Sequence, residues 1–251
     1  MSHTTLGIVE VRQDAASNKI ARRLGGKSLL EWVVRRVTDC QTLDRVVVVL
    51  SDRELDRQVA ALVPPDVSVF IGKAADALGR FVEAIDAYPC SAIVRVCADN
   101  PFIDPVLIDR LARLAAKEDG YDYVGYCSRD GMPAIGSPLG VYAEWMPVAA
   151  LLRADREAPP TDRQDVTRYL YSHPERFRVR LVRVPSALDR GDVRLRIEDE
   201  EDWEHVQAIY EALGPEEWDW QKIAGLLDHQ PALRERMAQL NDAELRALPA
   251  D

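Results

Sequence analysis

Ala92-Ile93-Val94-Arg95-Val96-Cys97-Ala98-Asp99-Asn100-Pro101-Phe102-Ile103-Asp104-Pro105 decides the architecture of this chain. It opens with a strand-length apolar run that ends in Ala-Asp. A proline-broken turn follows, then an Ile-Asp-Pro helix start and an amphipathic helix over about Val106–Lys117. Strand, short turn and helix in succession form the repeating unit of an α/β sheet. The Asp99 carboxylate then stands at the C-terminal tip of a strand, where open α/β sheets bind ligands. A lone carboxylate there suits Mg²⁺, which takes one or two protein carboxylates together with phosphate oxygens. Aspartate also opens turns for local reasons, and at this level both readings stand.

Working outward, the same pattern recurs. Leu6–Val11, Arg45–Leu50, Val67–Ile71 and Ala92–Cys97 read as strands. RVVVVL at Arg45–Leu50 is continuous and β-branched, as a strand buried on both faces should be. Helical patterns over Leu29–Thr38, Glu54–Leu62, Asp76–Tyr88 and Val106–Lys117 follow them, and Ser28 with Glu31 has capping-box spacing. Four such units predict a mostly parallel sheet with helices on both faces. After about Tyr121 the pattern loosens. Strands are expected at Tyr121–Tyr126, Ser137–Glu144, Phe177–Val184 and Val193–Ile197. Helices are expected from Thr161 to about Ser172 and over Asp202–Leu213. Phe177–Val184 (FRVRLVRV) alternates apolar and basic residues, so one face is solvated or lines a site. These signals predict an α/β domain over residues 1–213, with a flap or insertion at about 128–190, and a helical tail over 214–251. Trp218 and Trp220 are expected to anchor the tail by packing.

Composition narrows the class. The chain has 251 residues, 47% apolar and 29% charged, which are globular values. No run approaches the roughly 18 apolar residues that a spanning helix needs, and no signal peptide is visible. Its four cysteines fall singly, without CxxC spacing, and read as buried thiols of a reduced compartment. A net charge of −10 argues against a broad nucleic-acid or anionic-membrane surface, yet leaves room for a small phosphorylated ligand. A soluble cytoplasmic enzyme, with neither nucleic-acid nor membrane partner, is expected.

Three basic stretches could hold such a ligand. Arg12, Ser17, Lys19, Arg22 and Lys27 lie in a loop between the first strand and the first helix, a place where polyphosphate is bound. The GxxxxGK[ST] spacing of a Walker A loop is absent. Arg80, in Leu78-Gly79-Arg80, begins a helix after the third strand, and Arg95 lies on the strand that ends at Asp99. A second carboxylate comes from Arg194-Leu195-Arg196-Ile197-Glu198-Asp199. Glu198 is read as a metal ligand beside Asp99, and Asp199 as a helix cap. The histidines show no zinc-site spacing.

Taken together, these motifs resemble the cytidylyltransferases of the spore-coat polysaccharide and 3-deoxy-manno-octulosonate group. The resemblance runs from about residue 6 to 227 in family order. It is carried by Val11-Arg12 with Ser17-Asn18-Lys19-Ile20, Leu24 to Lys27, Ser51-Asp52, Leu78-Gly79-Arg80, Arg95 to Pro105, Val166 to Tyr171, and Arg194 to Asp202. It implies a Rossmann-like nucleotidyltransferase fold, Mg²⁺-dependent use of CTP, and commonly a homodimer with a contact near the flap. Carried over residue by residue, Asp99 and Glu198 would hold Mg²⁺, and Arg12 and Lys19 would grip the triphosphate. Ser51, Asp52, Arg80 and Arg95 would surround the nucleoside or its phosphates. The acceptor would be a sugar acid or a related small acidic or phosphorylated molecule. The chain departs from the family pattern at Glu10, where the family has Gln, and in the glycine, proline and lysine of the phosphate loop. It departs again at Pro138-Leu139-Gly140-Val141-Tyr142, where the family has Pro-Arg-Gly-x-Asp, and at Asp165, where the family has His. Arg129, Arg163, Arg168 and Arg183 are candidates for an anionic acceptor.

Overall fold

The computed structural model describes residues 4–12, 19–118, 120–215 and 217–247. Strand β1 (Thr5–Glu10) leads to a short hairpin, β2 (Arg23–Leu24) and β3 (Lys27–Ser28). Helix α1 (Leu29–Thr38), β4 (Arg45–Ser51), α2 (Glu54–Val59), β5 (Ser68–Gly72), α3 (Ala77–Ala87), β6 (Ala92–Cys97) and α4 (Pro105–Lys117) then alternate. The next elements are β7 (Tyr123–Cys127), β8 (Glu144–Pro147), α5 (Val148–Glu157), α6 (Arg168–Tyr171) and β9 (Val179–Arg183). Three helices close the chain: α7 (Glu200–Leu213), α8 (Trp220–Asp228) and α9 (Pro231–Ala247).

Seven strands form the central sheet in the order β5-β4-β1-β6-β8-β7-β9. β5, β4, β1 and β6 pair parallel, β8 runs antiparallel to β6 and β7, and β9 pairs parallel with β7. The chain winds outward from β1 to β5 and then returns to β6 on the opposite side of β1. Between β1 and β6 the winding reverses, and a crevice opens there at the carboxyl ends of the strands.

Local chemistry explains the regular half. Ser28 Oγ accepts the Glu31 amide at 3.1 Å and starts α1. Asp104 Oδ1 accepts the Val106 amide at 2.8 Å, with Pro105 as the first residue of α4. One face of the sheet buries Val9, Val48, Val94 and Val96 against α1, α4 and the three C-terminal helices. The other face buries Leu6, Ile8, Ile93 and Met146 against α3, α5 and α6. Trp218 anchors the tail within the first layer, its ring 4.6 Å from Trp32 and 5.2 Å from Phe102 between centroids. All four cysteines are thiols. No described helix is long and apolar enough to cross a membrane.

Three expectations need correction. The strand expected at Ser137–Glu144 begins only at Glu144. Ahead of it, the Pro138 carbonyl accepts the amides of Leu195 and Arg196 at 2.9 and 3.1 Å, so this segment pairs with an irregular neighbour and not with a ladder. Gly140 makes that approach possible: its φ is +64°, and a Cβ there would lie 2.7 Å from the Arg196 nitrogen. Val193–Ile197, expected as a strand, is irregular: the amides of Leu195 and Arg196 go to the Pro138 carbonyl and that of Ile197 to Asp99. The helix expected from Thr161 is helical only over Arg168–Tyr171. Before it, successive i to i+3 bonds (Asp162 to Pro159, Asp165 to Asp162, Arg168 to Asp165) form tight turns.

Candidate active site at the carboxyl edge of the sheet

Asp99 lies just beyond β6, on the crevice between β1 and β6. Its carbonyl accepts the Ile197 amide at 3.2 Å, which pins the 193–199 segment over it and makes Glu198 its neighbour. Asp99 Oδ1 is buried and has no protein partner. Burial pushes this carboxyl above the ordinary range, and the charges of Arg12 and Arg196 pull it back down. An unsatisfied buried acceptor costs about 1–3 kcal/mol, and a divalent cation would fill it. Among the described residues no three His, Cys, Asp or Glu side chains converge on a metal position. Asp99 and Glu198, on adjoining segments, are oxygen donors of the kind that an Mg²⁺-type ion takes together with phosphate oxygens and water.

Glu198 is held from below. Its Oε2 accepts Arg194 Nη2 at 3.3 Å, and its Oε1 pairs with Arg196. Arg194 is buried and donates in turn to Asp202 at 2.6 and 3.1 Å and to Glu244 on α9. Asp202 takes the Glu198 amide at 2.8 Å and completes a capping box with Asp199, whose side chain accepts the Asp202 amide at 2.9 Å. Asp199 therefore caps α7.

The basic loop reaches the same place. Arg12 is exposed beside Asp99 and acts on its charge. Lys19 Nζ donates to the Glu198 carbonyl. Arg22 pairs with Glu200 and lies 5.2 Å over the Trp203 ring. Lys27 stands over the Trp32 ring at 4.6 Å, away from this cluster on the hairpin. Ser17 lies outside the described residues.

At the tip of β4, Ser51 is buried, and Asp52 pairs with Arg57 at 2.9 Å. Arg80 is buried and donates to the Ala74 and Ala75 carbonyls, both at 3.2 Å. Arg95 is buried too. Its Nε donates to Glu10 at 2.7 Å, and its Nη1 to Glu144 at 2.8 Å, Thr167 at 2.9 Å and Asp165 at 3.3 Å. Tyr123 donates to the same Glu144, whose carboxyl burial pushes up against the pull of Arg95. Arg12, Lys19, Arg22, Asp99 and Glu198 are thus brought together, with Ser51 and Asp52 farther along the same edge. Arg80 and Arg95 turn donors inward, to protein acceptors. Of the acceptor candidates, Arg163 pairs with Asp76 and Asp155, Arg129 with Asp189 and Arg168 with Asp162.

Sequence reasoning assigned no role to Arg194, Arg196, Glu144 or Asp165. For Glu10 and Arg95 a signal existed: each is a charge inside an otherwise apolar strand, which buries only if it is paired.

The sheet order, with Asp99 at the switch point and Arg12 beside it, is an arrangement suited to a phosphorylated ligand. A family model described as Cytidylyltransferase matches residues 16–239. The spore coat polysaccharide biosynthesis protein SpsF of Bacillus subtilis (strain 168) is 31% identical over 218 residues, covering 83% of this chain and 87% of that protein. The chain belongs to the cytidylyltransferase family. Its fold is similar to that of a cytidylyltransferase from Leptospira borgpetersenii serovar Hardjo-bovis (strain JB197), with a TM-score of 0.82 and 21% identity over 92% of this chain and 97% of that one. It is also similar to CMP:2-keto-3-deoxy-manno-octonic acid synthetase, solved in complex with CTP, with a TM-score of 0.60 and 12% identity over 83% of this chain and 98% of that one.

Proposed function

We propose that the protein transfers CMP from CTP to a small acidic or phosphorylated acceptor, a sugar acid in the first instance, with Asp99 and Glu198 holding Mg²⁺. An acceptor oxygen attacks the α-phosphorus, the bond to the bridging oxygen of the β-phosphate breaks, and pyrophosphate leaves. A divalent cation at the two carboxylates would neutralise charge gathering on the phosphoryl oxygens. Arg12, Lys19 and Arg22 would hold the β- and γ-phosphates from the opposite wall, and Ser51 and Asp52 would face the nucleoside. Arg95 and Arg80 position the walls: Arg95 ties Glu10 on β1 to Glu144 and Thr167, and Arg80 fixes the turn before α3.

The buried, unpartnered Asp99 Oδ1 carries this reading. Calorimetry of CTP with and without Mg²⁺, and pyrophosphate release over a panel of sugar acids, sugar phosphates and phosphonates, test it. CTP should bind only with the metal, and Asp99→Asn should lose that binding while still folding. Absence of nucleotide binding in the presence of Mg²⁺ overturns the proposal. The expected homodimer is checked by sedimentation velocity.

A second reading is a nucleotide-binding homologue without turnover. It is favoured by the altered phosphate loop, whose Lys19 and Arg22 are engaged by the 198–200 segment. CTP binding with no product on any acceptor would select it. Competition among the four triphosphates would expose a different base preference.

A further inference from the structure

The segment Phe177–Val184 alternates basic and apolar residues, and none of its arginines is placed at the candidate active site. Its outer part, β9, is the edge of the sheet, and beside it lies α4. Between them is a cavity of about 410 Å³. Arg110, Arg113 and Lys117 border it from α4, at spacings of three and four residues that place them along one side of the helix. Arg180 borders it from β9, and Leu111 and Tyr126, both buried, form its floor.

The charge balance of this cavity is unlike that of the rest of the molecule. The net charge is −10, and many of the arginines elsewhere sit against carboxylates, as Arg35 does with Asp66, Arg163 with Asp76 and Arg190 with Asp192. Among the described residues no carboxylate borders the cavity. Arg113 has Asp109 at 3.3 Å, but Arg110, Lys117 and Arg180 make no ion pair among the described residues. Like charges gathered without counter-charge repel, and a bound anion relieves that repulsion. Several cations over an apolar floor match a multiply charged phosphate attached to a hydrocarbon or aromatic body. An isolated inorganic ion would leave the floor unused, and a volume of this size is that of a small-ligand site. Guanidinium groups also suit phosphate by their forked donors.

We propose that the cavity between α4 and β9 is a second ligand site, separate from the catalytic edge, that binds a small amphipathic phosphate ester. Its head would lie among Arg110, Arg113, Lys117 and Arg180, and its apolar body on Leu111 and Tyr126. The inference does not depend on the proposed reaction.

Farnesyl diphosphate is a suitable ligand for the test, titrated by calorimetry into the whole chain with and without CTP and Mg²⁺. Binding should be the same in both conditions. The Arg110→Glu/Arg180→Glu double variant, with thermal unfolding confirming that it folds, should bind at least tenfold more weakly and keep its CTP behaviour. Inorganic pyrophosphate, measured with CTP and Mg²⁺ present, and farnesol should each bind at least tenfold more weakly than the intact ester. The proposal is overturned by equal affinity in the double variant, by displacement with CTP, or by the lack of any heat at millimolar ester. It is also overturned if only vesicles of phosphatidylglycerol are bound, which would make the patch a membrane contact. A change in sedimentation of the double variant without ligand would instead assign the patch to an interface between copies, and would overturn it equally.

Discussion

From β5 to β6 the sheet pairs in parallel, a helix follows each strand, and the side chains filling both faces are largely apolar. From β8 to β9 the pairing is mixed, the connections are irregular, and ionic contacts join distant segments. Arg95 reaches Glu144 and Asp165, and Arg194 reaches Asp202 and Glu244. The two regions meet at Asp99, which belongs to the first and is covered by the second. Apolar burial contributes roughly 25 cal/mol per Å² and has no direction. A buried ion pair contributes little net stability, yet removal of one partner is costly because the other remains as an uncompensated charge. The first region therefore supplies stability, and the second places groups over the site.

The sharpest way to break this division is Arg95→Met, which leaves Glu10 and Glu144 buried without their counter-ion. Urea unfolding should show a loss of about 3–5 kcal/mol, and the Arg95→Met/Glu144→Gln pair should recover part of it. A loss below about 0.5 kcal/mol, within the range of ordinary surface changes, would show that the polar tether is dispensable. Gly140→Ala should come next. Its left-handed backbone costs an alanine about 1–2 kcal/mol, and overpacking against the Arg196 backbone about 1–3 kcal/mol more. Metal-dependent CTP binding should weaken along with stability, because the displaced segment carries Glu198. Gly131→Ala, at φ +82° with nothing near its Cβ position, should show only the backbone cost and no change in CTP binding.

The smallest expected effect concerns His205, buried on α7 with Nδ1 unpartnered and its pKa lowered by burial. The unfolded chain takes up this proton near pH 6.5, whereas the folded chain takes it up only at lower pH. Between those two values the unfolded state holds more protons, so stability is full above about 6.5 and falls with acidification through that window. His205→Gln should flatten this part of the stability profile, followed by thermal unfolding at a series of pH values. An unchanged slope would remove His205 from the account.

The same division explains what could be read from residue order. RVVVVL, the Ser28 cap and Asp104-Pro105 are local signals, and β4, α1 and α4 lie where these signals put them. Asp99 and Glu198 stand out in the sequence because each ends a strand-like run and precedes a helix, and the Ile197–Asp99 hydrogen bond sets the two segments side by side. Val193–Ile197 alternates polar and apolar residues as a half-exposed strand does, yet its polar residues are buried. Arg194 and Arg196 are both buried, neutralised by carboxylates that include Glu244 in a different helix. No local pattern announces a partner so far along the chain. The inward placement of Arg95 depends on similar distant contacts, with Glu10, Glu144, Asp165 and Thr167.

The contact of Glu244 with Arg194 also bears on the order in which this protein is made. A ribosome adds roughly 5–20 residues per second, so β6 and Asp99 emerge well before α9 exists. The nascent chain can pair β1, β4, β5 and β6 early, since their register needs nothing downstream. Arg194 acquires its contacts with Glu244 and Asn241 only when α9 docks. The segment over Asp99 thus receives its last polar tether from the last described helix to be synthesised.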